Sequence, residues 1–312
     1  MKPPTPIPVA LARCQDYHSD TLPETVRLLL RTISCRPGRG AKVLIKPNLL
    51  APKPPDFLPC THPLVVRAAC QFFLESGARV FVGDSPSFGN GLKVSKKIGL
   101  HRALADLPVT LVNFDRPKLV PLSFPGGAVL ISRQALEHDF ILNLPKLKTH
   151  RMVRITGAVK NYFGCVTSVN KGVLHFLYGD RGYRFEKMII ELQQHLPPSM
   201  SLMDAVVAMQ GRGPVDGEPF PLGLLAASPS AFALDTAIYQ LLGLQPAQVP
   251  IWEESVRQCL AGVRPKEIYF PLEPPGSFDA QGFRVPARLQ SLNFHPLRLI
   301  KSAFKRVWAA LT

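Results

Sequence analysis

The chain has 312 residues, 46% hydrophobic and 19% charged, a globular composition that excludes an intrinsically disordered protein. Its formal net charge is +15, which favours acidic partners: phosphate or carboxylate ligands, nucleic acid or anionic lipid. The six cysteines (Cys14, Cys35, Cys60, Cys70, Cys165 and Cys259) contain no CxxC pair, so no zinc-ribbon or ferredoxin-type cluster motif is present.

The elements follow in chain order. Residues 7–12 read as a strand. Thr21 and Glu24 form a capping-box pattern ahead of a helix that runs to about Cys35. Residues 42–46 are a short apolar strand, ending in Pro47 and Asn48. Thr61 is placed as N-cap, with Pro63 in the first turn, of a helix closed by Gly77. Residues 79–83 form the next strand, followed by Asp84 and Ser85. Residues 109–132 read as short strands around a Gly126-Gly127 turn, and residues 184–195 as an amphipathic helix. Strands are expected at 200–208 and 222–227, joined through a glycine loop at 211–217, with a helix at 230–242. This alternation predicts an α/β fold with a mixed or parallel sheet and helices on both faces. Two lobes around a cleft are expected, with a break near 196–200 in a domain spanning 1–292.

The last 20 residues differ. Leu297, Ile300, Phe304, Val307, Trp308 and Leu311 share one helical face, and Arg298, Lys301, Lys305 and Arg306 supply charge without any acid. Residues 293–312 therefore read as a basic amphipathic helix. It either docks on the body or on a second subunit, or lies on an anionic membrane surface. No window reaches the length of a spanning helix or a signal peptide, and the expected location is the cytoplasm.

Three polar clusters fall at carboxyl ends of strands, where ligands sit in such sheets. They are Lys46 with Asn48, Asp84 with Ser85, and the run Lys146, Lys148, His150 and Arg151. Residues 142–179 add Arg154, Lys160, Lys171 and His175 and contain no Asp or Glu. Like charges repel, so a fold that gathers them needs an anion to compensate, unless the segment is a solvated basic face. The interleaved residues are not a stacking series of aromatics, which disfavours nucleic acid. His150 among cations is expected to stay neutral, and Lys160 to have a lowered pKa that suits a nucleophile or tether. Asn161 adjoins it. Gly211 and Gly213 allow close backbone approach to a ligand, or simply make a tight turn. Asp204 and Asp235 sit in apolar segments as buried paired carboxylates or caps. Cys60 and His62 are two soft donors, which falls short of a metal site.

The segments KVLIKPNLL, THPLVVRAACQFFLESGA, VFVGDSP, ILNLPKLKTH, TGAVKNYFG and MQGRGPVDGEP occur in this order over roughly residues 40–240. In that order they resemble the family of domain of unknown function 362. Many members of that family carry a ferredoxin-like iron–sulfur domain. The resemblance thus implies an iron–sulfur protein as partner for a chain that lacks those cysteines. The stretch from His150 to Lys160, followed by Gly164, is also similar to part of the nickel-pincer lactate racemase family. That similarity implies His150 as a proton-transferring base and Lys160 as the covalent tether of a nickel-pincer nucleotide. The leading expectation is an enzyme that holds an anionic small molecule through Lys146, Lys148 and Arg151, with Asn48, His62 and Asp84 on the opposite wall. The rivals are a non-catalytic carrier or maturation partner for a metallocofactor or iron–sulfur protein, and binding to nucleic acid or an anionic membrane.

Overall fold

A computed structural model describes residues 5–51, 58–86 and 90–292. The expected helix over 293–312 lies outside the described residues.

The chain begins with β1 (Ile7–Pro8), β2 (Ala10–Arg13), α1 (Leu22–Thr32), β3 (Lys42–Pro47), α2 (Pro63–Glu75) and β4 (Arg79–Asp84). It continues through α3 (Gly91–Lys97), α4 (Leu100–Ala103), β5 (Val109–Asn113), β6 (Pro117–Pro121), β7 (Ala128–Ser132) and α5 (Arg133–Leu136). Next come β8 (Phe140–Leu144), β9 (Lys146–His150), β10 (Arg154–Thr156), α6 (Ala158–Asn161), α7 (Ser168–Tyr178) and α8 (Arg184–Glu191). The long hairpin of β11 (Ser199–Arg212) and β12 (Asp216–Ser228) precedes α9 (Ala231–Leu241), α10 (Pro250–Arg257) and β13 (Ile268–Tyr269).

Among the described residues nine strands make the central sheet, and it is mixed. β5, β4, β3, β8 and β11 run parallel to their neighbours, and β9 joins β11 in parallel as well. β10, β12 and β2 are antiparallel additions. From β3 the chain moves outward through β4 to β5, then returns to place β8 on the other side of β3. That reversal is a topological switch point, and the crevice it opens lies at the carboxyl ends of β3 and β8. Lys46 pairs in register with Asn143 there, and Pro47 with Leu144.

Side-chain alternation along the strands splits the core between the two faces. Val43 and Ile45 pack with α1 and α2 residues such as Val26, Leu29, Val65 and Phe73. Leu44 and Ile141 face the opposite layer, with Phe185, Ile189, Leu234 and Ile238 from α8 and α9.

Local details differ from the sequence reading. The chain breaks strand pairing at Val9, splitting the first strand in two. The Thr21 side chain makes no cap bond: its hydroxyl bonds Ser19, and Glu24 pairs with Arg27 instead. Thr61 is not the N-cap of α2. His62 takes that place, its Nδ1 accepting from the Leu64 N–H at 3.3 Å. Thr61 donates to the Leu144 carbonyl at 2.7 Å and accepts from the Asn48 N–H at 2.8 Å, tying the end of β3 to the end of β8. The amphipathic segment at 184–195 is α-helical only to Glu191 and closes as a 3-10 turn over Leu192–His195. Residues 199–201 continue in register with Ile141–Asn143 of β8.

Candidate functional site

The crevice is built on two buried ion pairs. Lys46 Nζ lies 2.8 Å from Asp84 Oδ1, with both side chains almost wholly buried. The second Asp84 oxygen accepts the Leu49 N–H at 2.8 Å. Gly164 is packed over this pair so closely that a Cβ there would stand 2.1 Å from Asp84 Oδ1 and 2.4 Å from Lys46 Nζ. The other pair is Lys146 with Asp204, at 3.0 Å. Asp204 also accepts from the Tyr17 hydroxyl at 2.8 Å and the His62 N–H at 2.9 Å, so its carboxylate is fully engaged. Burial pulls the Lys146 pKa down while Asp204 opposes it.

β9 presents Lys146, Lys148 and His150 at alternate positions, hence on one face. Lys148 has no carboxylate partner among the described residues. Its ammonium donates to Asn48 Oδ1 at 2.7 Å and to the Pro59 carbonyl at 2.6 Å. Burial first, then the neighbouring Lys146 and Lys46 charges, bring its pKa to about 7. Asn48 passes the network on through Nδ2 to Asn161 Oδ1 at 2.7 Å, and Asn161 Nδ2 donates to Asn143 Oδ1 at 2.8 Å. Asn143 in turn donates to the Ala158 carbonyl at 3.0 Å and Ser201 Oγ at 3.1 Å. Every amide in this chain has its orientation fixed by a neighbour, as buried polar networks require.

Lys160 is 8% exposed and makes no hydrogen bond or ion pair among the described residues. Its ammonium stands over the Phe163 ring at 4.2 Å and the Phe185 ring at 5.5 Å. Such contacts soften, but do not repay, the cost of burying a cation. Burial, followed by repulsion from Lys171, Lys148 and Lys46, lowers its pKa to about 7. Lys171 reaches the same region and donates to the Ser85 carbonyl. Ser85 is buried and held through its N–H to the Gly164 carbonyl at 3.2 Å.

Lys160 is positioned from behind. α6 begins after Gly157, and Asp235 of α9 accepts the Ala158 N–H at 2.6 Å and the Val159 N–H at 3.0 Å. A Cβ on Gly157 would fall 2.2 Å from Asp235 Oδ1, so only glycine admits this close carboxylate. Burial raises the Asp235 pKa to about 7 against the pull of those two N–H bonds.

His150 Nδ1 accepts from the Met152 N–H at 3.1 Å, which leaves the ring proton on Nε2 when the imidazole is neutral. Burial and then Lys160 hold its pKa well below the usual histidine range. His150 at neutral pH is therefore an uncharged Nε2–H donor facing a cationic neighbourhood. His175 bonds the Leu292 carbonyl at 3.1 Å through Nδ1, stacks on Phe185 at 4.4 Å, and is pushed to about 3 by burial and Lys160.

The structure thus brings together Lys46, Asn48, Asp84, Ser85, Lys148, His150, Lys160 and Asn161, with Lys146 two residues before Lys148 on the same face of β9. It does not bring in the rest. Arg151 is exposed, and its backbone bonds Gly213 and Gln290. Gly211 and Gly213 sit at the β11–β12 turn and pack on Thr149. The Gly211 carbonyl accepts the Thr149 hydroxyl at 3.1 Å, and a Cβ on Gly213 would meet the Thr149 carbonyl at 1.8 Å. Of the two soft donors, Cys60 Sγ bonds the Ala51 carbonyl at 3.3 Å, and His62 Nδ1 caps α2. Among the described residues no group of three or more His, Cys, Asp or Glu side chains could hold a metal ion. No helix among them is long and apolar enough to cross a membrane. Sequence reasoning missed Tyr17 and Asn143, both polar groups in otherwise unremarked segments, and Phe163 and Phe185, whose role depends on packing.

These features define an α/β protein with a mixed sheet and a lysine-rich crevice at its topological switch point. Residues 43–240 match the family described as Domain of unknown function (DUF362), and the chain belongs to that family. It is 35% identical over 307 residues to the Thylakoid-associated protein sll1697 of Synechocystis sp., covering 96% of this chain and 94% of that one. Among solved structures it is similar to the lactate racemase apoprotein from Thermoanaerobacterium thermosaccharolyticum, at 12% identity and a TM-score of 0.44. That similarity covers 71% of this chain and 54% of the racemase.

Proposed function

We infer that the protein binds an anionic small molecule in the switch-point crevice and carries out proton transfer on it. The observation that carries this reading is Lys160: a buried amine with no anionic partner among the described residues, beside Lys148 and Lys171, where Asp84 is already engaged by Lys46. A carboxylate or phosphate group entering this space would pair with Lys148 and Lys160 and restore both to the charged form. His150 Nε2–H would donate a hydrogen bond to the bound group, the Lys160 amine, with its pKa at about 7, would take up and return the proton, and Asn48 and Asn161 would fix orientation.

A second reading is favoured by the same lysine. An amine with its pKa at about 7 is substantially neutral near physiological pH and thus nucleophilic. Lys160 therefore fits covalent attachment of a cofactor such as the nickel-pincer nucleotide implied by the racemase resemblance. Such a group would bring metal-centred chemistry to the crevice, with Lys148 available for its anionic part. Partnership with a separate iron–sulfur protein, in a maturation or carrier role, is the non-catalytic alternative.

Native and denaturing mass spectrometry of freshly purified protein, with metal analysis on the same sample, separates these. A mass adduct that survives denaturation and maps to Lys160 supports the tether. An unmodified chain without metal removes the tether and leaves reversible anion binding, tested by titration with phosphate and lactate. Absence of binding to both would remove the first reading as well.

A further inference from the structure

A groove of about 800 Å³ opens beside the crevice, between the start of α2, α4 and the segment before α1. That volume suits a small organic ligand. Its wall carries Tyr17, His18, His62, Arg67, Arg102 and Lys146, and among the described residues no Asp or Glu lines it. Tyr17 and His62 are stacked with ring centroids 3.7 Å apart, and His18 meets His62 edge-on at 6.2 Å. Three rings from two separate segments thus form one aromatic wall.

The cations have different fates. Lys146 is neutralised by Asp204 behind the wall, and Arg67 by Asp106. Arg102 is exposed and forms no ion pair among the described residues, and His18 is exposed beside the ring stack. Among the described residues the groove therefore combines aromatic surface with the unpaired charge of Arg102. It adjoins the Lys160 crevice and shares Lys146 with it, whereas Lys148 and Lys160 do not line it.

We propose that this groove is a second ligand site, taking an organic anion that carries a planar ring: the ring lies along the Tyr17–His62–His18 wall and the anionic group pairs with Arg102. Neither feature alone suffices. Stacking on an aromatic side chain and an exposed ion pair each give modest binding, and only their combination gives a specific one.

Naphthyl phosphate, naphthol and inorganic phosphate are titrated into the full chain and into Arg102→Glu, His18→Ala and Lys160→Met variants. Arg102 and His18 are exposed, so their replacement leaves the fold in place, checked by thermal unfolding. Naphthyl phosphate is expected to bind the full chain at least tenfold more tightly than either naphthol or phosphate. It should lose that advantage in Arg102→Glu, weaken severalfold in His18→Ala, and keep it in Lys160→Met. Binding that is lost in Lys160→Met but untouched by Arg102→Glu would place the ligand in the crevice and overturn the groove. Equal affinity for naphthyl phosphate and phosphate would also overturn it, by removing the ring wall. Failure of phosphate to bind anywhere, with naphthyl phosphate still bound, would count against the crevice alone.

Discussion

Lys160 is the residue on which the site turns, and its energetics run opposite to those of a structural lysine. Its folded pKa, at about 7, is depressed below the unfolded value. Between that pH and the ordinary lysine range the unfolded chain binds more protons than the folded one, so stability rises with pH through this window. Lys148 adds a second contribution of the same sign. We expect stability in urea to increase from pH 7 to 8.5, and Lys160→Met to reduce that slope by about one proton while raising stability at pH 7. Denaturant titrations at several pH values measure both effects. A variant that is less stable at every pH would mean that Lys160 has a structural partner. At Gly164 the logic is steric. Gly164→Ala would drive a methyl group into the Lys46–Asp84 pair and is expected to cost about 3–5 kcal/mol, the range for breaking a buried ion pair. An unfolding midpoint unchanged from the parent chain would show that the pair yields without cost.

At the scale of elements, α6 is only four residues long and owes its place to neighbours rather than to its own propensity. Asp235 supplies that support by accepting two of its first N–H groups from inside the core. In Asp235→Asn, an amide N–H would face a backbone N–H, leaving a buried donor unsatisfied at about 1–3 kcal/mol. The same change should weaken anion binding through displacement of Lys160, with the Asp235→Glu variant failing to restore it because the Gly157 approach leaves no room for a longer side chain. Isothermal titration with phosphate reads this. Binding unaffected by Asp235→Asn would separate α6 placement from the site. The pH dependence of this group has the opposite sign to that of Lys160. A carboxyl raised to about 7 contributes stability below its unfolded pKa, lost as pH rises from about 4 to 7.

Over the whole molecule, the strand–helix alternation was enough to place three polar clusters at strand ends, because the period of apolar residues and the Gly and Pro punctuation are local signals. Lys46, Asp84 and Lys148 meet for that reason. What was not legible is pairing. Nothing local shows that Thr61 bonds Leu144 rather than capping α2, that Tyr17 crosses to Asp204, or that Gly211 and Gly213 buttress Thr149 instead of lining the crevice. Those are contacts between segments far apart in sequence, set by the register of a mixed sheet. The sequence pattern of the antiparallel hairpin of β11 and β12 likewise shows only two short strands, since its outer half lacks an apolar alternation. The basic composition acts at this scale too. With a net charge of +15 and a basic amphipathic C-terminal sequence, the chain is expected to bind vesicles of anionic lipid in a salt-sensitive way. Removal of residues 293–312 should abolish sedimentation with such vesicles while leaving phosphate binding intact. Equal sedimentation of both forms would assign the attraction to the body of the protein.

The most direct test of the crevice is proton-linked anion binding. Phosphate is titrated calorimetrically into the protein at pH 7.5 in two buffers of different ionisation enthalpy. An anion that pairs with Lys148 and Lys160 raises both pKa values, so binding must take up protons, and the apparent heat must differ between buffers. In Lys160→Met the affinity should fall at least tenfold and the proton uptake should shrink. Binding with identical heats in both buffers, or with the same affinity in the variant, would contradict an anion site built on Lys160.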